Sequence, residues 1–192
     1  MADDSHSVLV VEPDPETLER YVDWLEREYE VRTATSGSEA LDRVNGVDVV
    51  LLDRRLPDRS GDEVATRISG RPDAPTIALL STVDPDLDIV DLSCDDYLLK
   101  PLSQSELVDA MVRLVRRADY DERLATYSSL ASKRATLESA VAMDELIGDP
   151  EYDALCRRTE SLRRELDGLV DQFEKDDFEA AFRALGAAEN GR

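Results

Sequence analysis

Four side chains suited to polar chemistry stand at the ends of four short apolar runs. Glu12 follows SVLVV, Asp53 follows VDVVLL, Ser81 closes TIALLS and Lys100 follows DDYLL. Because the carboxyl ends of parallel strands meet at one edge of a sheet, we expect two acids, a hydroxyl and a lysine to share one rim. The sequence contains no Walker loop, dinucleotide-binding glycine loop or zinc-ligand spacing that would point to a different chemistry.

The stretch LLDRRLPDRSGDE, residues 51–63, is the most distinctive of the four. An apolar run typical of a buried strand stops at a single carboxylate, Asp53. Two arginines, a Leu-Pro step and a Ser-Gly turn follow. We interpret the strand as delivering Asp53 to a shared site, and the turn as clearing space above it.

The elements that would carry these side chains alternate over the first 118 residues. Strands are predicted at 7–11, 29–33, 47–52, 76–81 and 95–99, with helical stretches between them. Three helices begin with an S-x-x-E capping box, at residues 36–39, 60–63 and 103–106. The first helix begins with Asp14 as N-cap and Pro15 at its first position. This alternation predicts an α/β fold, a doubly wound parallel sheet with helices on both faces.

The composition is strongly acidic and poor in lysine. The formal net charge is −21, and Lys100, Lys133 and Lys175 are the only lysines. This balance suits a cytosol very rich in salt, and an acidic mesophilic protein is the plainer alternative. It argues against a large basic face for nucleic acid. Cys94 and Cys156 show no metal spacing and indicate a cytoplasmic protein, and no apolar stretch is long enough for a membrane span.

Four pieces, in this order, resemble the receiver domain of response regulators. They are VLVVE before the first helix, D-x-x-L-P-x-x-S-G at 53–61, Ser81 after TIALL, and DDYLLKP at 95–101. Together they cover nearly all of residues 5–118, and their order at successive strand ends is specific although each piece alone is weak. The resemblance implies a five-stranded flavodoxin-like receiver over residues 1–118, with strand order 2-1-3-4-5.

The resemblance also implies roles for individual residues. Asp53 would accept a phosphoryl group from a sensor histidine kinase, so the protein would be a phosphoacceptor that assists its own phosphorylation and dephosphorylation rather than an enzyme. Lys100 and Ser81 would bind the phosphoryl group, and Tyr97 would be the aromatic switch that moves inward. A hydrolase with Asp53 as nucleophile fits less well, since a D-x-D pattern and a cap insertion are missing.

Mg²⁺ is the implied cofactor, with Glu12 and Asp53 among its ligands. Family members usually carry two adjacent acids after the first strand, but here Pro13 follows Glu12 and offers no side-chain oxygen. Asp14 could reach the metal instead, although its position before a proline suits a helix cap better. We therefore expect Mg²⁺ to bind weakly.

Arg55 has two expected roles. The resemblance implies that its backbone carbonyl is a metal ligand. Its position two residues after the acceptor would also let the long side chain screen an acyl phosphate from water. A solvated loop arginine is an equally good interpretation of the same position.

The remaining residues, 119–192, are predicted to be all helical. Apolar residues recur through 107–141, GDP at 148–150 breaks the pattern, and seven positions spaced alternately by three and four residues mark residues 152–173. We expect a helical hairpin or short coiled coil, preferably an antiparallel hairpin within one chain, with a possible homodimer second. A last short helix is expected at 176–185, folding back through Phe178 and Phe182.

The second half resembles the HalX domain that follows receivers in halophilic archaea. The matching residues are Y-x-x-L-A-S-K-R-A-x-L-E at 127–138, then E-L at 145–146, E-Y at 151–152 and the Leu- and Arg-rich helix. The arginine pairs at 116–117, 157–158 and 163–164 are interleaved with acids, so solvated helix faces explain them better than a contact with DNA.

Three functions remain open on these residues. The first is a phosphorylation-switched response regulator of a two-component system whose helical half passes the signal to a partner. The second is a transcription regulator whose helical half contacts DNA. The third is a degenerate receiver that binds partners without phosphate. Pro13 favours the third function, whereas intact Asp53, Ser81 and Lys100 favour the first two.

We predict that the chain loses structure when salt is removed. At a net charge of −21, unscreened repulsion between acidic side chains destabilises the compact state. Thermal unfolding followed by circular dichroism from molar to millimolar salt should show a falling Tm. A Tm independent of salt would contradict the halophilic interpretation.

Overall fold

Residues 6–84 and 90–189 are described by a computed structural model, with side chains described as far as residue 170. The chain divides into two compact units, residues 1–118 and 119–192. Unit 1 contains five strands and the helices packed on them, and unit 2 is helical.

Unit 1 is built on a parallel sheet of order β2-β1-β3-β4-β5. The strands are β1 (Ser7–Val11), β2 (Glu30–Ala34), β3 (Val49–Asp53), β4 (Thr76–Ser81) and β5 (Asp96–Leu99). The predicted fold class and strand order are confirmed, with three strands starting one or two residues later than the sequence pattern indicates. β1, β3 and β4 are buried throughout, as near-continuous apolar strands covered on both faces must be.

Helices cover both faces of the sheet. These are α1 (Pro15–Leu25), α2 (Gly37–Arg43), α3 (Gly61–Ser69) and α4 (Gln104–Ala140). On one face, Tyr21 and Leu25 of α1 and Leu107 and Met111 of α4 pack against β1, β3 and β4. On the other face, residues of α2 and α3 form the second core cluster. The sheet is therefore anchored from both sides, and its carboxyl edge is held in place.

The helix starts follow the predicted caps in part. Asp14 accepts a hydrogen bond from the Thr17 amide at 2.9 Å and caps α1, with Pro15 in the first turn. The capping box at Ser103 is complete. Ser103 Oγ accepts from the Glu106 amide at 3.3 Å, and the Glu106 carboxylate accepts from the Ser103 amide at 2.8 Å. The other two predicted capping boxes form only in part, and we call them half boxes. Ser36 and Ser60 cap α2 and α3. Glu39 accepts from the Thr35 amide instead of the Ser36 amide, and Glu63 forms an ion pair with Arg67.

The expectation of a helix between every pair of strands is wrong for the described part of the last connection. Residues 82–84 and 90–95, which lead from β4 towards β5, contain no α-helix. Ser93, Asp95 and Asp84 in this stretch are residue types that disfavour helix interiors. Asp95 bonds outside the stretch, since its carboxylate accepts from the Ile77 amide of β4 at 2.9 Å.

Unit 2 is an antiparallel helical hairpin. It contains the second half of α4, a short helix α5 (Met143–Leu146) and α6 (Pro150–Glu189). Arg123 pairs with Glu165 at 3.5 Å, and the Tyr152 hydroxyl donates to Glu138 at 2.6 Å, so the two long helices run in opposite directions. The preferred intramolecular hairpin is thereby confirmed.

The reversal of the chain depends on the GDP sequence. Gly148 has a φ of +84°, a left-handed conformation that favours glycine. Asp149 then caps α6 by accepting from the amides of Glu151 and Tyr152 at 2.8 and 2.9 Å. Pro150 occupies the first helical position, where its missing N–H costs nothing.

The hairpin core is narrow, and the last helix is longer than expected. Leu162 and Leu166 are buried, whereas Leu124 and Leu137 on α4 are 39% and 37% exposed. Two helices alone cover only one stripe of each other, which leaves these leucines at the margin. The prediction of a separate short helix at 176–185 is wrong, because α6 continues without a break to Glu189. Phe178 and Phe182 lie outside the described side chains.

No helix in the described ranges is long and apolar enough to cross a membrane.

We predict that Leu162→Asp unfolds the hairpin. Leu162 is 2% exposed, and an unpaired carboxylate there costs about 3 kcal/mol or more. Circular dichroism should show loss of helical signal at any protein concentration. Leu124→Asp, the same change at an exposed leucine of the same unit, is the control and should stay helical. A Leu162→Asp variant that kept its helicity but changed only its oligomeric state would place this seam between chains.

Candidate functional site

The sheet register places the predicted site residues side by side. Asp53 is the last residue of β3 and pairs with Leu80, one position before Ser81 at the end of β4. Glu12 comes directly after β1, and Lys100 comes directly after β5, whose Leu99 pairs with Ser81. Parallel pairing thus brings residues from four separate parts of the chain to one edge.

Lys100 lies at the centre of the site. Its ammonium donates to Glu12 Oε2 and to Asp53 Oδ2 and forms an ion pair with each carboxylate. The side chains are 12%, 3% and 10% exposed for Lys100, Glu12 and Asp53. Two charged carboxylates this deeply buried would repel each other, and the ammonium of Lys100 supplies the opposite charge between them.

The second oxygen of each carboxylate accepts from the main chain two residues further on. Glu12 Oε1 accepts from the Asp14 amide at 3.2 Å, and Asp53 Oδ1 accepts from the Arg55 amide at 2.5 Å. Each acid is therefore held at both oxygens, one by Lys100 and one by its own following turn. This fixes the orientation of both carboxylates before any ligand binds.

The electrostatics of the site follow from burial and pairing. Burial raises the pKa of Glu12 above its usual range, and the hydrogen bond and charge of Lys100 only partly oppose it. For Lys100, burial would lower the pKa, but the hydrogen bonds and charges of Asp53 and Glu12 outweigh it and raise the pKa above its usual value. The ammonium therefore stays charged at neutral pH.

Ser81 and Tyr97 are connected through the main chain of Val83, in the loop after β4. Ser81 is 4% exposed, and its Oγ accepts from the Val83 amide at 3.1 Å, which leaves the hydroxyl proton to be donated. The Tyr97 hydroxyl donates to the Val83 carbonyl at 2.9 Å, while the ring packs at the edge of the core on the α2–α3 side. Val83 thus contacts both residues.

Arg54 is a site residue that the sequence analysis missed. Its guanidinium pairs with both oxygens of Asp62 at 3.0 and 3.1 Å and lies 3.4 Å from the Tyr97 hydroxyl. The two arginines after Asp53 indicate cations near the acceptor, but the sequence does not show that the Arg54 side chain points towards Asp62 and Tyr97. That contact depends on the tertiary structure, which places α3 and β5 near the end of β3.

Asp14 is not arranged as a metal ligand. Its carboxylate is exposed and caps α1, and the hydrogen bond from Thr17 lowers its pKa. Pro13 provides no oxygen from its side chain. The structure therefore brings Glu12 and Asp53 together as acids of the site, with Asp14 contributing its main-chain N–H instead of its carboxylate.

The residues present fit an Mg²⁺ ion with a reduced acid set. Mg²⁺ takes oxygen ligands and retains several waters, and each carboxylate oxygen of Glu12 and Asp53 can accept more than one contact. Within 6–84 and 90–170, no group of three or more His, Cys, Asp or Glu side chains is placed to hold a metal ion. The ion would thus depend on two acids, the Arg55 main chain and water.

Two family models match consecutive parts of the chain. The response regulator receiver domain matches residues 8–112, which is more than half of the chain. The HalX domain matches residues 116–182. The first match contains every residue of the site, and the second covers most of the helical hairpin.

Individual proteins show the same division. The chain is 37% identical over 165 residues to a "Putative transcriptional regulator" of Haloferax volcanii, a match that covers 85% of this chain and 28% of the relative. It is 35% identical over 123 residues to "Sensory transduction protein RegX3" of Mycobacterium bovis, covering 60% of this chain and 53% of the relative. The chain thus spans between about a quarter and about half of these relatives.

Among solved structures, the chain is similar to the BeF3-activated receiver domain of DrrB, an OmpR/PhoB homologue of Thermotoga maritima. The identity is 26% and the TM-score 0.54, and the match covers 58% of this chain and 97% of that domain.

We predict that Pro13→Asp strengthens Mg²⁺ binding about tenfold, since it adds a carboxylate beside Glu12. Mg²⁺ titration in high salt, followed by Trp24 fluorescence, measures the affinity. Pro13→Ala, which removes the ring without adding an oxygen, is the control and should bind as the wild type does. Equal affinity in all three proteins would show that another group already completes the ligand set.

Proposed function

Since this chain belongs to the response-regulator receiver family and carries a HalX domain after the receiver, we propose that Asp53 accepts a phosphoryl group from a sensor histidine kinase. The protein would be a phosphoacceptor of a two-component system rather than an enzyme that turns over a substrate. The phosphorylated receiver would then change the behaviour of the helical unit.

The observation that carries this proposal is the bridge formed by Lys100 between Glu12 and Asp53 at the carboxyl edge of the sheet. A carboxylate is a poor nucleophile towards a phosphoryl group, because both carry negative charge. Here one acid is supplied with a neighbouring ammonium and a fixed orientation. The similarity to a receiver solved in a BeF3-activated form supports the same use of this edge.

The transfer would proceed by attack of a carboxylate oxygen of Asp53 on phosphorus. The bond between phosphorus and the histidine nitrogen of the kinase breaks, and its electron pair remains on the imidazole, which takes a proton from solvent. The product is an acyl phosphate on Asp53. Lys100 would balance the charge on the phosphoryl oxygens, and the Arg55 amide would keep the other carboxylate oxygen in place.

Mg²⁺, when bound, would supply divalent positive charge against the phosphoryl oxygens. Glu12, Asp53 and the Arg55 carbonyl would hold it. Glu12 also positions Lys100 through their ion pair, so the same acid would serve both cations. The Arg55 side chain would screen the acyl phosphate from water.

The switch would use the contact of Ser81 and Tyr97 with Val83. A phosphoryl group on Asp53 offers Ser81 an acceptor for its hydroxyl proton. Movement of Ser81 towards the phosphoryl group would pull on the Val83 amide, which donates to Ser81 Oγ. The Val83 carbonyl accepts from the Tyr97 hydroxyl, so this movement would also disturb Tyr97. Tyr97 would then turn inward and alter the surface around β5.

The helical unit would pass this change to a partner. A second candidate, a regulator that contacts DNA, is favoured by the name of the Haloferax volcanii relative, a putative transcriptional regulator. In the described part of the hairpin, Arg123 and Arg134 pair with Glu165 and Glu138, which neutralises cations that DNA would need. A third candidate, a receiver that binds partners without phosphate, is favoured by Pro13.

We predict that Asp53→Asn abolishes phosphorylation. A small phosphodonor such as acetyl phosphate, with Mg²⁺ in high salt, should label the wild type, and mass spectrometry would place the phosphate on Asp53. Asp73→Asn, at an exposed acid beyond α3, is the control and should be labelled normally.

Phosphate that persisted in Asp53→Asn would place the acceptor elsewhere. A wild type that took up no phosphate while still binding a partner would favour the phosphate-independent receiver.

A further inference from the structure

The segment between Asp53 and α3, residues 54–60, forms a loop that we name the acceptor loop. Its two ends are tied together, because the Gly61 amide donates to the Arg54 carbonyl at 2.9 Å and Arg55 pairs with Ser60 in an antiparallel bridge. Its first part also holds the acceptor, through the Arg55 amide on Asp53 Oδ1. These contacts restrain the base of the loop but not its tip.

The tip is held by Asp58, which reaches across to the start of α2. One carboxylate oxygen accepts from the Gly37 amide at 2.8 Å, and the other accepts from the Ser38 amide at 2.9 Å and from Ser38 Oγ at 2.6 Å. Arg59 adds a bond from its guanidinium to Ser38 Oγ at 2.9 Å. Four hydrogen bonds therefore connect the tip to residues about 20 positions earlier in the chain.

Close packing at Gly37 accompanies these hydrogen bonds. A Cβ atom at this position would lie 2.5 Å from Cγ and 2.7 Å from Cδ of Arg59, and 2.7 Å from a methyl group of Val64. Only glycine lets the loop tip come this near to α2. The tip is thus both hydrogen-bonded and packed against the first turn of α2.

The hydrogen-bond donors around Asp58 favour its charged form. The Ser38 hydroxyl, followed by the amides of Gly37 and Ser38, holds the pKa of Asp58 well below its usual range. Asp58 is therefore ionised at neutral pH, and charged acceptors form the stronger hydrogen bonds.

We propose that Asp58 is a positioning residue for Asp53: by fixing the tip of the acceptor loop to α2, it keeps the Arg55 main chain against the acceptor carboxylate. This inference deepens the proposed function and rests on it. Asp58 does not touch the reacting atoms and acts only through the loop.

Arg55 lies between the end of β3 and the tip at Asp58, and its bridge pairs it with Ser60, the residue that follows the tip. If the tip is released, the loop gains conformations in which the Arg55 amide no longer points at Asp53 Oδ1. The same movement would displace the Arg55 carbonyl, one of the three proposed Mg²⁺ ligands. Partners that orient a metal ligand commonly matter nearly as much as the ligand itself.

The test compares Asp58→Asn with Asp48→Asn in the full chain. Asp48 makes a similar contact elsewhere in unit 1, since its Oδ2 accepts from the Ser7 amide at 2.7 Å and from Ser7 Oγ at 2.9 Å. It lies just before β3, at the edge opposite to the acceptor. Asn keeps one accepting oxygen. Asp58 uses both of its oxygens and must lose contacts in Asp58→Asn, whereas Asp48 makes both bonds through one oxygen, so Asp48→Asn controls for the loss of a carboxylate charge in unit 1.

The first readout is hydrogen exchange of the Arg55 amide, measured by NMR without Mg²⁺. We expect exchange about tenfold faster in Asp58→Asn, as for loss of one to two hydrogen bonds, and unchanged exchange in Asp48→Asn. Gly37→Ala, which pushes the tip away while leaving the Asp58 carboxylate intact, should act as Asp58→Asn does. If Asp58→Asn fails to fold, Ser38→Ala removes a single hydroxyl and carries the same test.

The second readout is Mg²⁺ affinity by Trp24 fluorescence, expected to fall about tenfold in Asp58→Asn and to stay within about twofold in Asp48→Asn. Unchanged exchange at Arg55 in Asp58→Asn would overturn the proposal. Equal losses in the two variants would also overturn it, because Asp58 would then only stabilise the fold. A chain that takes up no phosphate, yet shows both expected changes, would refute the proposed function and leave the positioning contact standing.

Discussion

The arrangement of unit 1 depends on one ammonium group placed between two buried carboxylates. Glu12 and Asp53 stand at the ends of adjacent strands, and Lys100 comes from the far side of the sheet to pair with both. Without that cation, two like charges would share a site from which water is largely excluded. The sheet order contributes to this pairing, since only β4 separates β5 from β3, and Lys100 reaches across it to both acids.

In the proposed function, the same site would also bind Mg²⁺ and a phosphoryl group. Each acid is held at one oxygen by Lys100 and at the other by a following amide, so the carboxylates are oriented in advance. Pro13 leaves fewer acids for a metal, so a bound Mg²⁺ would depend more on the main chain of the acceptor loop. A loop that would supply a carbonyl ligand needs a fixed position, and the contacts of Asp58 with α2 hold its tip.

The helical hairpin of unit 2 is held together by few contacts. Two long helices bury a narrow stripe around Leu162 and Leu166 and leave other leucines at the margin. Its ion pairs, such as Arg134 with Glu138, lie on the surface, where each contributes little on its own. Stability of the hairpin therefore depends on its leucine seam and on the turn at 148–150, in an acidic chain whose surface charges repel one another.

The sequence alone determined the elements and the ends at which the site residues stand, because apolar runs, helix caps and turns are local signals. Asp14 as a cap, the parallel sheet and the hairpin all followed from such signals. Tertiary structure alone decided what each charged group contacts. The connection after β4, the turn of Arg54 towards Tyr97 and the reach of Asp58 to α2 depend on distances between elements that are far apart in the chain. No local pattern encodes these distances, since the packing of helices on the sheet sets them.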